Sequence, residues 1–384
     1  MGTITNLQGG KLRLERVKAE TVVLHRTRPG WSYVHHASVA HFAGRFHAIW
    51  SNGRTHEDDV SQRVMRASSS DGLSWTRPRP LAGPVRGRRR ELTLTAGGMH
   101  PVTGGRSGTK LVAYLGVWEW SESQKLLPDR RAAVGEHVGT TLWATWSRTG
   151  RRWSRPVDLG VRCVPNHGPQ ATSSGRLIIA GALMFPWTDD ATGLGGWRTA
   201  GLYPDDLDFE YFDDSQGFPR AVRATEGRLP WLCEGSLFET GDGRLHMLLR
   251  SQTGFLWESV SRDDGLTWSQ PSETRFTDEC SKFHFGRLPD GRWYCVSNPD
   301  RDRQYHDGRR SPLVLAVSED GVDFSTGYIV RGGEEDWPPQ RISGVYKGLG
   351  FQYPHTMVHG RWLYVIYSVM KEDVAVSRVR LADI

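Results

Sequence analysis

An all-β fold, a six-bladed β-propeller of four-stranded antiparallel blades, is predicted by three features of this 384-residue chain: repeated hairpin tips, a recurring turn motif and a turn-rich composition. Each tip is a short apolar run that enters Gly plus Arg or Lys and leaves as another apolar run. The six tips are Gly44-Arg45-Phe46, Gly108-Thr109-Lys110-Leu111, Gly175-Arg176-Leu177, Gly243-Arg244-Leu245, Gly291-Arg292-Trp293 and Gly360-Arg361-Trp362. Glycine supplies the turn dihedrals, and the flanking apolar and aromatic residues are strand formers.

The turn motif reads Ser-x-Asp-(x)-Gly-x-x-aromatic and follows most of the tips, where one outer strand turns into the next. Its full form is Ser261, Asp263, Gly265 and Trp268; shorter forms are Ser69, Asp71, Gly72 with Trp75, and Ser318, Asp320, Gly321 with Phe324. Ser147 to Trp153 has lost the acid, and Asp205-Asp206-Leu207-Asp208-Phe209 has lost the glycine. The Ser and Asp side chains bond turn amides and the ring covers the turn, so these motifs hold blades and carry no chemistry. Over six units the 384 residues give 64 each, which suits four strands with loops. Seven shorter blades also fit, because Gly10-Lys11-Leu12 could belong to another hairpin. The strand near Thr21 to Leu24 is expected to complete the last blade and close residues 1–384 into one domain without exposed sheet edges.

The 44 Gly, 16 Trp and 24% charged residues suit an all-β domain rich in turns. No run approaches the roughly 20 apolar residues of a membrane helix, and Met1-Gly2-Thr3-Ile4-Thr5 lacks a basic-then-apolar leader. A cytoplasmic protein without a membrane partner is therefore expected, with secretion left open should a leader have been removed. Cys163, Cys233, Cys280 and Cys295 are isolated, without zinc spacing, and read as buried thiols. The net charge of +6 and the run Arg86-Gly87-Arg88-Arg89-Arg90 invite a nucleic-acid reading. Basic and acidic residues are otherwise interleaved and no recognition helix is evident, so the run reads as a solvated loop and no nucleic-acid partner is expected. An acidic ligand accounts for the excess equally well. Nothing in the chain specifies an oligomeric state.

His100, His167, His284 and His355 fall near strand ends or loops, where a propeller builds its central funnel. Together they suggest a titratable pocket; taken singly, each reads more readily as a structural histidine. No two show a spacing that specifies a metal, so neither metal nor cofactor is expected, and an ion in the central channel stays open.

The stretch Glu234 to Phe324 resembles the Asp-box sialidase superfamily, propellers that cleave terminal, usually acidic, sugars. The residues that carry the likeness are Glu234-Gly235-Ser236-Leu237, Asp242-Gly243-Arg244-Leu245, Arg250, the full turn motif at Ser261, and Arg310-Ser311-Pro312-Leu313 leading into Ser318. Asp boxes mark the blade rather than the activity, since non-enzymatic propellers carry them too. The resemblance implies that Arg250 and Arg310 bind a substrate carboxylate. It also implies that Tyr353 is a nucleophile activated by Glu234, and that Asp58 or Asp59 is the acid/base. The third arginine of the sialidase clamp is missing, and Tyr33-Val34-His35-His36-Ala37-Ser38 stands in its place. Histidine there exchanges a proton near pH 7, which a fixed guanidinium does not.

A second block resembles propellers acting on terminal L-rhamnose linked α-1,4 to glucuronic acid. It runs from His35-His36-Ala37-Ser38 through Trp50-Ser51-Asn52-Gly53-Arg54 to Glu57-Asp58-Asp59 and Gln62-Arg63-Val64, with Asn166-His167-Gly168-Pro169, Trp187-Thr188-Asp189, Gly196-Trp197 and Lys282-Phe283-His284-Phe285-Gly286-Arg287. That family is seven-bladed, and a first-blade histidine is implicated in β-elimination or rhamnoside hydrolysis. The likeness adds Arg54 and Trp187 and supports His167 and His284 as substrate-binding candidates, beside His100, His355, Arg250 and Arg310. Trp197, Trp231 and Trp257 are further candidates for stacking on a sugar, but tryptophans in propellers usually cover blade junctions, so no more than one or two of the four are expected at a ligand. Strand alternation puts His35 and His36 on opposite faces, so one of them would enter the funnel. Elimination needs a base for the C5 proton, donors to neutralise the carboxylate and an acid for the leaving oxygen; a histidine, the two arginines, and Tyr353 or a second histidine could supply these.

The function expected is therefore an exo-acting carbohydrate-active enzyme that cleaves a terminal sugar next to a carboxylate. An L-rhamnose-α-1,4-D-glucuronate lyase or α-L-rhamnosidase on arabinogalactan-type glycans leads. The alternatives are an exo-α-sialidase-type hydrolase, a carbohydrate-binding propeller without turnover, and a protein-interaction propeller.

Overall fold

The computed structural model describes residues 4–55, 57, 59–102, 108–120, 137–181, 184–201, 212–213, 218–219, 230, 232–300, 309–332, 334–344 and 347–384. They form the six blades the hairpin tips require; a seventh does not appear among the described residues. The first blade is Tyr33–Phe42, Arg45–Gly53, Arg63–Ser69 and Arg79–Ala82, and the second is Leu92–Val102, Lys110–Trp120, His137–Ser147 and Val157–Asp158. The third comprises Gln170–Ala171, Leu177–Ile178, Met184–Thr188 and Arg198–Gly201; the fourth Leu232–Glu239, Leu245–Ser251, Phe255–Ser261 and Ser272–Thr277. The fifth is His284–Arg287, Trp293–Ser297, Leu313–Ser318 and Thr326–Arg331, with Arg13–Arg16 added in parallel at its outer edge. Leu349–His359, Trp362–Val369 and Asp373–Arg380 make the sixth, which Ala19–Arg26 completes as its outer strand, so the N-terminal segment closes the ring.

The Gly10-Lys11-Leu12 segment that left room for another blade forms an isolated Thr5–Lys11 bridge instead. The hairpin tips behave as their glycines dictate. At the first, Ala43 and Gly44 take φ of 50° and 70° between strands that pair to Phe42 and Arg45, a two-residue turn that needs positive φ at both positions.

The cores lie between adjacent blades. Trp50 and Ala48 of the first blade meet Ile366 and Val376 of the sixth, and Phe283 and Phe285 of the fifth meet Phe238 and Leu248 of the fourth. Each fully buried side chain of this size contributes about 1.5–3 kcal/mol relative to exposure.

The turn motifs sit between third and fourth strands and bond as their composition demands. Asp263 accepts from Ser261 Oγ at 2.8 Å and from Thr267 N at 2.9 Å and Thr267 Oγ at 2.6 Å, while Trp268 Nε1 donates to the Gly265 carbonyl at 3.1 Å. The copy without an acid keeps the last contact, Trp153 Nε1 to Gly150 O at 3.2 Å. The copy at Asp205 lies outside the described residues. Asp263→Ala is expected to cost about 1–2 kcal/mol in urea denaturation with specific activity of the folded fraction unchanged. An unaltered midpoint would deny the motif its structural role.

Candidate functional site

Each blade starts at the axis, so the N-terminal ends of the inner strands gather on one face of the ring, where neighbouring inner strands touch. Four of these strands break register near that end, between His35 and Ser38, Ala96 and Gly98, Leu232 and Gly235, and Gln352 and His355. A bulge re-aims the side chains beside it. Non-glycine residues at positive φ concentrate here as well: His36 (51°), Cys280 (47°), Tyr353 (58°), Met370 (55°) and Lys371 (55°) are five of the seven among the described residues. Backbone in that region is strained for an L residue, and such strain clusters where surrounding structure fixes a functional geometry.

One consequence corrects the alternation argument. His35 and His36 do not face opposite ways: their rings lie 4.3 Å apart, and both pack on Tyr353, at 6.4 and 5.1 Å between centroids. The left-handed turn at His36 within the bulge removes the two-residue period on which alternation depends.

Arg250 organises the centre. Its Nη1 donates to Glu234 Oε2 at 2.6 Å and to Tyr353 Oη at 3.0 Å, which keeps the carboxylate and phenol oxygens within about 6 Å of each other. Its Nε donates to Cys280 Sγ at 3.3 Å. Arg310, fixed by Gln352 Oε1 at 3.2 Å and the Cys280 carbonyl at 3.1 Å, holds its guanidinium 5.1 Å from the Tyr353 ring centre. Lys371 Nζ stands 3.6 Å from the same centre and 3.6 Å from Glu57 Oε2, which also accepts from Tyr33 Oη at 3.1 Å. Two guanidinium groups and one lysine thus surround one phenol.

The protonation states follow from burial and charge. Burial raises the Glu234 carboxyl, but the Arg250 charge and hydrogen bond, with help from Cys233 and Arg310, override it and hold the group down at about 2. Tyr353 is pushed well up by burial against the pull of Arg250 and with the push of Glu234, so it is a neutral phenol. Burial brings Lys371 down to about 7, Glu57 opposing and Arg310 and Arg250 assisting; burial brings Lys282 to about 7 too, with Glu234 opposing. His36 falls well below its ordinary value through burial, then through His35 and Lys282, and is a neutral imidazole. Its Nδ1 bonds Thr95 Oγ1 at 3.1 Å, and its Nε2 lies 4.0 Å from Glu234 Oε1. Beside Glu234 and His36 is a cavity of about 80 Å³, mainly apolar, with Trp118, Cys163, Val164, Pro165 and Met184 in its walls.

Deeper in the channel His167, His284 and His355 come together, with ring centroids 4.5 to 5.5 Å apart. Burial holds all three below their ordinary value, His284 at about 3.

Other expected residues lie elsewhere. Arg54 is exposed with its guanidinium 5.5 Å from the Trp31 ring. His100 stands five residues beyond Thr95 on the same strand, roughly 15 Å further along and away from the strand end that carries the groups above. Trp187 is a core residue between the third and fourth blades, capped by Arg176 at 4.2 Å, and Trp197 is buried between the second and third. Trp257 packs on the same core as Trp187. All three serve the blade junctions, which need large flat rings, rather than a sugar platform. Asp59 is consumed by the loop, accepting from the Arg54 amide and from Ser61 N at 2.8 Å and Ser61 Oγ at 2.7 Å. Asp58 and Trp231 lie outside the described residues. All four cysteines are free thiols, Cys233 half-buried and the others buried.

Lys371 carries no functional signal in the sequence, and Glu57 and Lys282 lie in segments of the second resemblance that assign them no role. Lys371 lies in a charged run, Lys371-Glu372-Asp373, that looks like an exposed hairpin tip; only its burial reveals it.

Comparison with known proteins bears on this geometry. A model of the BNR repeat-like domain matches residues 44–365. No curated protein matches the chain in sequence. Among solved structures, the chain is similar to a Dyadobacter fermentans protein of unknown function, at 16% identity and a TM-score of 0.62 over 94% of this chain and 98% of that one. It is similar to the NanB sialidase of Streptococcus pneumoniae in its K499G mutant, at 13% identity and a TM-score of 0.59 over 94% of this chain and 70% of that one. The intramolecular trans-sialidase of Ruminococcus gnavus, solved with oseltamivir carboxylate, aligns at 13% identity and a TM-score of 0.58 over 92% of this chain and 96% of that one. Identities this low establish the fold alone.

Proposed function

The chain belongs to the BNR repeat-like family, and on that premise we propose that it is an exo-acting enzyme that hydrolyses a terminal sugar bearing or adjoining a carboxylate, with Tyr353 as nucleophile. The observation that carries this reading is the single Arg250 Nη1 that bonds both Glu234 and Tyr353. Arg310 and Lys371 extend the positive wall around the same ring, which suits an anionic sugar. Tyr353 Oη attacks the anomeric carbon, the glycosidic C–O bond breaks, and Glu234 takes the phenol proton. The departing oxygen takes a proton from an acid or from solvent, and water then cleaves the glycosyl-tyrosine. Glu234 is poised as an anion, and Arg250 stabilises phenolate character as it develops. The apolar cavity beside Glu234 would take a methyl-bearing substituent, such as an N-acetyl group or the C6 of a 6-deoxy sugar.

A second reading is favoured by the two imidazoles that pack on Tyr353 where a sialidase has an arginine. Here His36, neutral and able to accept, removes the C5 proton of a 4-linked glucuronate. Arg250 and Arg310 neutralise the carboxylate, and Tyr353 protonates the departing rhamnose. The six-bladed ring speaks against this family likeness and for the sialidase one.

Products separate the two. The chain is incubated with a sialoside and with an arabinogalactan bearing rhamnose-capped glucuronate, and released sugar and near-ultraviolet absorbance are followed together. Released sugar without absorbance is the expected result. Rhamnose with rising absorbance would replace hydrolysis by elimination, and binding of either glycan without release would leave a carbohydrate-binding propeller.

A further inference from the structure

We propose that His167, His284 and His355 form a binding site for a zinc-class transition metal ion on the propeller axis, pinning the third, fifth and sixth blades together. One ring nitrogen can be chosen from each so that all lie within 4.8 Å of one another, and all three side chains are buried. The three come from separate blades: His167 precedes the inner strand Gln170–Ala171, His284 opens His284–Arg287, and His355 lies in Leu349–His359.

Neighbouring hydrogen-bond partners orient the rings. His167 Nε2 contacts the Phe283 carbonyl at 2.7 Å; a carbonyl only accepts, so this nitrogen carries the proton and Nδ1 keeps its lone pair. That Nδ1 is buried and has no hydrogen-bond partner. His284 is steered by Thr356 Oγ1 at 2.6 Å on Nδ1, which leaves Nε2 for a ligand. His355 Nδ1 accepts only a long 3.4 Å bond from the Val39 amide, which ligation through that nitrogen would displace. An imidazole-only set selects zinc, copper, nickel or cobalt rather than calcium or magnesium, which want oxygen. Zinc bonded at about 2.0–2.1 Å needs nitrogens about 3.3 Å apart, so the widest pair must close by up to about 1.5 Å, shared between side-chain rotations of the rings. The site is independent of whether Tyr353 is a nucleophile or an acid.

The full chain is stripped with chelator and titrated calorimetrically with Zn²⁺. One ion per chain is expected, with affinity lowered at least tenfold in His284→Ala. Zinc held instead by the stacked surface pair His41 and His359, 3.7 Å apart, would not respond to that variant. Should His284→Ala fail to fold, X-ray absorption of the wild-type Zn²⁺ complex decides, with three nitrogens at about 2.0–2.1 Å expected. No binding, indifference to the substitution, or a ligand set lacking imidazole would overturn the proposal.

Discussion

Tyr353→Phe is expected to lower turnover of a carboxylated glycoside by about a thousandfold or more while leaving the chain folded and KM nearly unchanged. The substitution removes one atom. The ring stays between Arg310 and Lys371, the strained backbone at φ 58° is occupied by a residue of the same shape, and Arg250 retains Glu234 at 2.6 Å. The lost hydrogen bond from Arg250 Nη1 costs about 1 kcal/mol. Both proposed chemistries use this hydroxyl, so the loss alone does not say how. Leaving-group dependence does. A nucleophile is needed whatever departs, whereas a general acid becomes dispensable when the leaving group is already a good one. Tyr353→Phe should therefore remain inert on an activated aryl glycoside if Tyr353 attacks carbon, and recover most of its rate there if Tyr353 only donates a proton. Activity within tenfold of wild type on both kinds of substrate would remove Tyr353 from the chemistry.

The propeller was readable because its signals are local and repeated. A glycine tip or a Ser-Asp-Gly turn depends on a handful of adjacent residues, and six copies leave little room for another fold; closure by Ala19–Arg26 followed from the same count. The site was readable only in part. Arg250, Arg310, Glu234 and Tyr353 came through resemblance, and the structure places them in contact or in close stacking. The orientation of His35 and His36 was misread because alternation assumes a regular strand, and nothing in Tyr33-Val34-His35-His36-Ala37-Ser38 announces a bulge. Trp187 was misread because the same flat ring serves a sugar or a blade junction, and only its neighbours, Arg176 and a buried apolar cluster, decide. Lys371 shows the opposite failure. A lysine in a charged turn reads as solvent-facing, yet here the turn packs on the first blade, where the Val34 amide donates to the Lys371 carbonyl at 2.8 Å, and the side chain is buried.

Removing the arginine at the centre tests the electrostatics of the whole site. Arg250→Leu is expected to abolish activity and to destabilise the fold by about 3–5 kcal/mol at pH 7, because it strands a buried carboxylate without its partner. The pH dependence is the sharper expectation. In the wild type Glu234 is held at about 2 against an ordinary 4.5, so its pairing stabilises the fold fully above about pH 4.5, by about 3 kcal/mol, and that stabilisation is lost as pH falls towards 2. Without Arg250 the burial that now opposes ionisation dominates and the folded-state value rises above 4.5. The sign then reverses: the folded variant holds its proton more tightly than the unfolded chain, so its stability falls as pH rises above 4.5. The gap between wild type and variant should therefore be widest near pH 7 and shrink towards pH 3, measured as urea midpoints at both. Groups unaffected by the substitution are common to the two proteins and cancel in the difference. Adding Glu234→Gln to Arg250→Leu should recover part of the loss at pH 7 and change little at pH 3, since it discharges the stranded group. An equal gap at both pH values, with no recovery in the double variant, would mean that Arg250 stabilises the channel through packing alone and that Glu234 is not the anion it pairs with.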